Sequence, residues 1–179
     1  MIHQKNYIDD LISFYDLKNE KPVSIPIQPN HKLTTDLEDE QENLRAPVDS
    51  TKYRQAIGKL MYLMTCSRPD ICYSVSVLSR FMAAPREKHW RYVKHLLKYV
   101  KTTRDYALIY PKSNTTTLTG YSDSDHAGDL GDRKSTSGFI FILSGCTISW
   151  RSMKQRTVAI SSTKLNTLQC PMQLKRLYG

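Results

Sequence analysis

Apolar side chains recur at helical spacing in the first hundred residues of this chain. The segments 6–17, 51–64 and 86–101 each place their apolar residues on one face, which predicts three amphipathic helices. A further helix is predicted to begin near Pro69, with Ser67 as a cap, and to end by Pro85, because proline suits a first turn but disrupts a helix interior.

The spacing changes to a period of two after residue 105, which predicts β-strands. Serine and glycine at 144–145 predict a tight turn between two of them. A last helix is predicted after Ser162, and Pro171 should break or kink it. The predicted strands are 106–110, 118–125, 138–143, 146–150 and 157–161.

This order of elements predicts an α+β fold in three parts. Residues 1–48 form a first helix followed by a linker, which is rich in proline up to residue 29 and acidic over 36–42. Residues 49–104 form a helical segment, and residues 105–179 form a sheet.

Charge is distributed unevenly along the 179 residues, whose net charge is +9. Residues 1–50 contain five Lys and Arg against ten Asp and Glu, whereas residues 51–179 contain 21 against 7, a net charge of +14. A basic globular region indicates a polyanionic partner, most often nucleic acid. Basic side chains on the helix 86–101, including Lys94 and Lys98, could follow a phosphate backbone or could form an ordinary solvated face.

Composition also bears on location. No stretch approaches 18 apolar residues, and the N-terminus lacks the layout of a signal peptide, so a cytosolic or nuclear protein with no membrane partner is expected. The four cysteines are irregularly spaced without a C-x-x-C pair, which predicts reduced thiols rather than disulfides or a zinc site.

Acidic residues cluster at the end of the predicted strand 118–125. Carboxylates at a strand end could hold Mg²⁺ for phosphodiester hydrolysis, or could be solvated acids at a polar turn. An EF-hand is excluded, because Ala127 and Lys134 fall at loop positions that require oxygen ligands. The cluster contains Asp123, Asp125, Asp129 and Asp132, followed by Arg133 and Lys134.

A second acidic motif, Tyr-Ile-Asp-Asp at residues 7–10, has the form of the reverse transcriptase metal hairpin. Its flanks have helical rather than strand spacing, so Asp9 and Asp10 are predicted on the polar side of a helix.

The ordered motifs "SRPDI", "YSDSDHAGD", "DRKSTSG" and "SSTK" resemble the Pol polyprotein of copia-type LTR retrotransposons. The resemblance extends to about Thr163 and covers the end of the reverse transcriptase with its connection, then the start of the ribonuclease H domain. It implies a helical connection segment followed by a truncated ribonuclease H-like sheet. It also places residues 7–10 in a helix that follows the polymerase palm, so no polymerase site is expected.

The resemblance implies roles for residues around the acidic cluster. Asp123 matches the family's first metal-binding aspartate, with Mg²⁺ as the family's cofactor, and Asp125 is a nearby candidate ligand. Arg133, Lys134 and Ser135 are predicted near the phosphates of an RNA–DNA hybrid. The implied partners are nucleic acid and the remainder of a Pol polyprotein.

The sequence departs from the family pattern where a second carboxylate is needed. Lys164 and Asn166 stand where the family has two glutamates, and its remaining carboxylates would lie beyond Gly179. We therefore expect poor Mg²⁺ binding and no significant ribonuclease H activity. The alternatives are a non-catalytic nucleic-acid-binding remnant and a product of a decayed gene without function.

Overall fold

The computed structural model describes residues 1–29, 33, 46–112, 117–124 and 135–155. Within these ranges the chain is α+β, with four α-helices and one 3₁₀ helix preceding a three-stranded antiparallel sheet. The helices are α1 (Lys5–Phe14), α2 (Ser50–Cys66), the 3₁₀ helix Pro69–Ile71, α3 (Cys72–Ser79) and α4 (Glu87–Thr102); the strands are β1 (Leu118–Ser124), β2 (Thr136–Leu143) and β3 (Cys146–Lys154).

The chain divides into two compact units, Met1–Leu108 and Ile109–Gly179. All four α-helices belong to the first unit and share one hydrophobic core, as their apolar stripes predict. The core includes Ile8 and Leu11 of α1, Ile57 and Leu60 of α2, Val75 and Leu78 of α3, and Val93 and Leu97 of α4, each at most 2% exposed.

Local chemistry sets the helix ends. The Asp49 carboxylate accepts a hydrogen bond of 2.8 Å from the Thr51 amide, which caps α2. Helix α1 ends three residues before the predicted position, and Asp16 adopts a left-handed φ of 52° just beyond it. The predicted cap by Ser67 is wrong, because its hydroxyl donates instead to the Gln4 side chain at 2.5 Å.

The helix predicted from Pro69 to Pro85 is shorter than expected and begins with a 3₁₀ turn. This turn is fixed by Arg68, whose side chain is 1% exposed. Arg68 donates to both carboxylate oxygens of Asp70, at 2.9 Å from Nε and 2.7 Å from Nη2, and to the Thr103 carbonyl at 3.2 Å. The guanidinium thereby joins the turn to the end of α4.

Tyr99 completes the hydrogen-bond network around Arg68. Its hydroxyl donates to Asp70 Oδ2 at 3.0 Å. Burial, reinforced by the neighbouring Asp70 carboxylate, raises the pKa of Tyr99 to about 12. The phenol is therefore neutral at physiological pH and remains a donor.

The strand predicted at 106–110 is wrong. Leu108 makes one isolated antiparallel bridge, with its amide and carbonyl bonded to those of Ile2 at 2.9 and 2.8 Å, and the flanking residues form no ladder. This bridge joins the two ends of the first unit.

The second unit contains the sheet, ordered β1–β2–β3 with both pairings antiparallel. The predicted turn between β2 and β3 is confirmed, with positive φ at Ser144 (49°) and Gly145 (83°). Gly120 on β1 pairs with Phe141 on β2, and the ring of Phe141 occupies the space that a side chain at position 120 would need. The strand predicted at 157–161 and the helix after Ser162 lie outside the described residues.

Candidate functional site

Asp123 lies one residue before the end of β1, as the sequence predicts, and is exposed. Its cross-strand partner on β2 is Gly138, which in turn pairs with Ser152 on β3. Directly opposite residues of antiparallel strands share a face of the sheet. The row beside Asp123 therefore offers one hydroxyl and no second carboxylate.

Among the described residues, the row of Asp123 and Ser152 contains a single carboxylate. Mg²⁺ in hydrolytic sites is held by carboxylates brought from several elements, and Asp123 is the only described residue of the predicted metal site. Within the ranges that the structure describes, no three His, Cys, Asp or Glu side chains are grouped to hold a metal ion. Asp125 lies outside those ranges.

The predicted phosphate-contacting residues near β2 are only partly described. Arg133 and Lys134 lie outside the described residues, whereas Ser135 is 2% exposed and directly precedes β2. The Ser135 carbonyl accepts a hydrogen bond of 2.8 Å from the backbone amide of Gln155. Its contact with a nucleic acid stays a prediction.

Two basic side chains of α4, Lys94 and Lys98, contact acidic residues of the chain itself. Lys94 Nζ lies 3.8 Å from Glu87 Oε1, and Lys98 Nζ lies 2.7 Å from Glu20 Oε2. The hydrogen bond from Lys98, followed by its positive charge, lowers the pKa of the Glu20 carboxyl. Their binding to phosphates stays a prediction, and for Lys98 it would compete with Glu20.

Residues 17–25, which we call the strap, run along α4. The Lys101 ammonium donates to the carbonyls of Leu17 at 3.1 Å, Lys18, and Glu20 at 2.9 Å. Further along the strap, the Val23 amide donates to Thr102 Oγ1 at 3.2 Å, and His95 Nε2 lies 2.9 Å from the Ile25 carbonyl oxygen. The polar side of α4 therefore holds the strap.

The strap was missed in the sequence because its contacts join residues 70 to 84 positions apart. The closely spaced prolines, Pro22 and Pro26, indicated an extended segment but not its partner. Helical spacing indicated a polar face on α4 without distinguishing solvent, phosphate or chain as its neighbour.

A cleft of about 460 Å³ lies between α1 and the end of α4, and we call it the α1–α4 cleft. The sequence pattern does not predict this cleft, because its cationic residues come from positions that are distant along the chain. It is lined by Ile8, Asp9, Ile12 and Ser13 from α1, by Lys18 from the strap, and by Lys101 and Arg104 at the end of α4.

None of the helices in the described part of the chain has the length and apolar character needed to cross a membrane.

Known proteins resemble this chain over most of its length. It is 39% identical over 163 residues to the retrovirus-related Pol polyprotein from transposon TNT 1-94 of Nicotiana tabacum, which is 91% of this chain and 12% of that protein. The Pol polyprotein from transposon RE2 of Arabidopsis thaliana is also 39% identical over 163 residues, covering 91% of this chain and 11% of that protein.

A shorter relative is covered over most of its own length. Secreted RxLR effector protein 161 of Plasmopara viticola is 49% identical over 112 residues, which are 63% of this chain and 79% of the effector. No protein-family model matches the chain, and no solved structure does.

These similarities group the chain with transposon proteins. They support a fragment of a retrovirus-related Pol polyprotein from a transposon, because 91% of the chain matches such polyproteins. More particularly, it corresponds to a segment that spans only 11–12% of the length of the Pol polyproteins described above.

Proposed function

We propose that the chain corresponds to the junction between the reverse transcriptase and ribonuclease H regions of a copia-type Pol polyprotein, and that it does not hydrolyse RNA itself. The order of elements supports the first part, because helices precede an antiparallel sheet whose first strand carries Asp123. The motif "YSDSDHAGD" supports the same alignment.

The donor set around Asp123 is the observation that carries the second part. Two-metal hydrolysis of a phosphodiester needs several carboxylates to hold the cations between attacking and leaving oxygens. Gly138 and Ser152 lie next to Asp123 across the sheet, on β2 and β3, and neither side chain adds a negative charge. Lys164 and Asn166 replace the two glutamates expected on the following helix, and lysine adds a positive charge.

A cleavage assay tests the absence of hydrolysis. The purified chain is incubated with an RNA–DNA hybrid and Mg²⁺ or Mn²⁺, and we expect no more product than with the Asp123→Ala variant. Cleavage that Asp123→Ala abolishes would overturn the proposal.

A carboxylate-restoring variant tests the stated cause. Lys164→Glu combined with Asn166→Glu should strengthen Mn²⁺ binding relative to the unmodified chain, and adding Asp123→Ala should remove that gain. If the double variant binds Mn²⁺ no better, the missing glutamates are not what limits metal binding.

A second candidate function is non-catalytic binding of nucleic acid. The net charge of +14 over residues 51–179 favours it, because release of counterions from a phosphate backbone drives association with basic proteins. We expect the logarithm of the affinity for a duplex or hybrid to fall linearly with the logarithm of salt concentration. Affinity that does not change with salt would contradict this function.

A further inference from the structure

The α1–α4 cleft has more positive than negative side chains. Lys18, Lys101 and Arg104 all line it, and Asp9 is its one carboxylate. A cleft with this balance attracts an anion.

Lys101 contributes charge to the cleft but no free donor. Its ammonium has three N–H groups, and the carbonyls of Leu17, Lys18 and Glu20 accept three hydrogen bonds from it. The charge is therefore fixed in position by the backbone of the strap.

Arg104 and Lys18 retain donors that can reach a ligand. Arg104 Nη2 donates a hydrogen bond to Asp9 Oδ2 at 2.8 Å. A guanidinium has five N–H donors in all, so others remain for a ligand. The Lys18 ammonium has no partner among the described residues and is exposed. A guanidinium beside an ammonium suits the oxygens of a phosphate group.

Two apolar side chains of α1, Ile8 and Ile12, line the cleft. They are 1% and 5% exposed, so they belong to the core and present little surface to a ligand. The volume of about 460 Å³ falls within the range of small-molecule sites, which combine apolar walls with a few polar groups. Inorganic phosphate would fill only a small part of this volume, whereas a nucleotide can also occupy the rest of the cleft.

We propose that the α1–α4 cleft binds the phosphate ester of a nucleotide, with Lys18 and Arg104 at the phosphate and the sugar or base in the remaining volume of the cleft. This inference rests on the proposed nucleic-acid binding and assigns a place for one phosphate on the first unit. The phosphate can belong to a free nucleotide or to a nucleic-acid strand, since the recognising chemistry is the same.

Calorimetric titration of the full chain with AMP and with adenosine tests the cleft. We expect AMP to bind, adenosine to bind at least about tenfold more weakly, and Lys18→Gln or Arg104→Gln to weaken AMP binding about tenfold each, because each removes a charge-assisted hydrogen bond. Lys94→Gln is the matched control, since it removes one positive charge from α4 outside the cleft and should change the affinity less than twofold.

Asp9→Asn gives a test of opposite sign. It removes the carboxylate that faces the ligand and frees an Arg104 donor, so it should tighten AMP binding about threefold or more. A residue with only a structural role would not produce tighter binding. Equal weakening by Lys18→Gln and Lys94→Gln, or no gain from Asp9→Asn, would overturn the proposal.

A single-stranded oligonucleotide distinguishes the two sources of phosphate and separates this inference from the proposed function. Competition with AMP by an oligonucleotide that has a 5′-hydroxyl would assign the cleft to backbone phosphates, and competition only by the 5′-phosphorylated strand would assign it to a terminal phosphate. Salt-dependent oligonucleotide binding that the cleft variants leave unchanged would overturn the cleft and leave nucleic-acid binding standing. If neither AMP nor the oligonucleotide binds, both fail.

Discussion

At the scale of single residues, the Arg68 guanidinium is a buried charge whose partners come from two parts of the first unit. Removing it would leave the Asp70 carboxylate beside Tyr99 without its counter-charge. We expect Arg68→Ala to lower the free energy of unfolding by about 3 kcal/mol, at the low end of the range for broken buried pairs, because 28% of the Asp70 side chain remains exposed. Urea denaturation measures the loss.

The matched control for Arg68 is Arg104→Gln, which breaks the Arg104–Asp9 pair. Its atoms are 2.8 Å apart, close to the 2.7 Å of Arg68–Asp70, but its side chains are largely exposed. Exposed pairs contribute about 1 kcal/mol or less. Equal losses from the two variants would show that burial of Arg68 does not determine its contribution.

Two glycines are predicted to respond to alanine in opposite directions. A Cβ at Gly120 would lie 2.6 Å from Cε1 of Phe141, a ring that is buried, so Gly120→Ala should destabilise the sheet by about 1–3 kcal/mol. A Cβ at Gly58 meets no atom within 4 Å, so Gly58→Ala in α2 should stabilise the first unit by about 0.5–1 kcal/mol. Thermal melts of both variants check the signs, and a stabilising Gly120→Ala would contradict the placement of Phe141.

At the scale of elements, the sequence predicted the helices better than the strands. Helices α1, α2 and α4 follow from apolar spacing, because each buries one face in the shared core. The alternation of apolar and polar residues at 106–110 predicted a strand that does not form. Such alternation indicates one buried and one exposed side of an extended segment, but it does not indicate that a partner strand is present. Leu108 is buried and bonded to Ile2, whereas Ile109 is 64% exposed.

The candidate sites show the same limit. Motif resemblance located Asp123 on a strand, and the structure confirms that strand. The strap and the α1–α4 cleft could not be found this way, because each is formed by residues from the two ends of the first unit. The sequence around a lysine on a helix face has the same apolar spacing whether that lysine contacts solvent, a phosphate or a distant carbonyl.

The strap is predicted to loosen in acid. Because Lys98 lowers the pKa of Glu20, their pair stabilises the attached strap above the ordinary carboxyl pKa of 4.5, and this contribution is lost as the pH falls through the lowered value. The Val23 amide, which donates to Thr102, reports attachment. We expect its proton chemical shift to move below pH 4.5 in the native chain and to be already displaced at neutral pH in Glu20→Gln.

Glu87→Gln is the control for the strap, since Glu87 pairs with Lys94 and contacts no strap residue in the described interactions. It should leave the acid-induced movement of the Val23 shift unchanged. An unaltered Val23 shift in Glu20→Gln would show that Lys101 and His95 hold the strap without this ion pair.

At the scale of the whole molecule, the first unit contains what a small domain needs to fold alone. Its hydrophobic core is drawn from residues between Ile8 and Val100, and the Ile2–Leu108 bridge closes its two ends. We therefore expect a fragment of residues 1–108 to unfold cooperatively in urea, as single cores of this size do.

Removing residues 1–4 from that fragment should lower its stability, because the bridge and the Gln4–Ser67 hydrogen bond are lost. Cooperative unfolding of the 1–108 fragment bears on whether the chain is a decayed product: a gene without selection accumulates unpartnered buried charges and broken caps, whereas the Arg68 charge is paired with Asp70 and α2 is capped. A fragment that shows no cooperative transition would mean that the core depends on residues after 108, and would favour the product of a decayed gene over a stable nucleic-acid-binding segment.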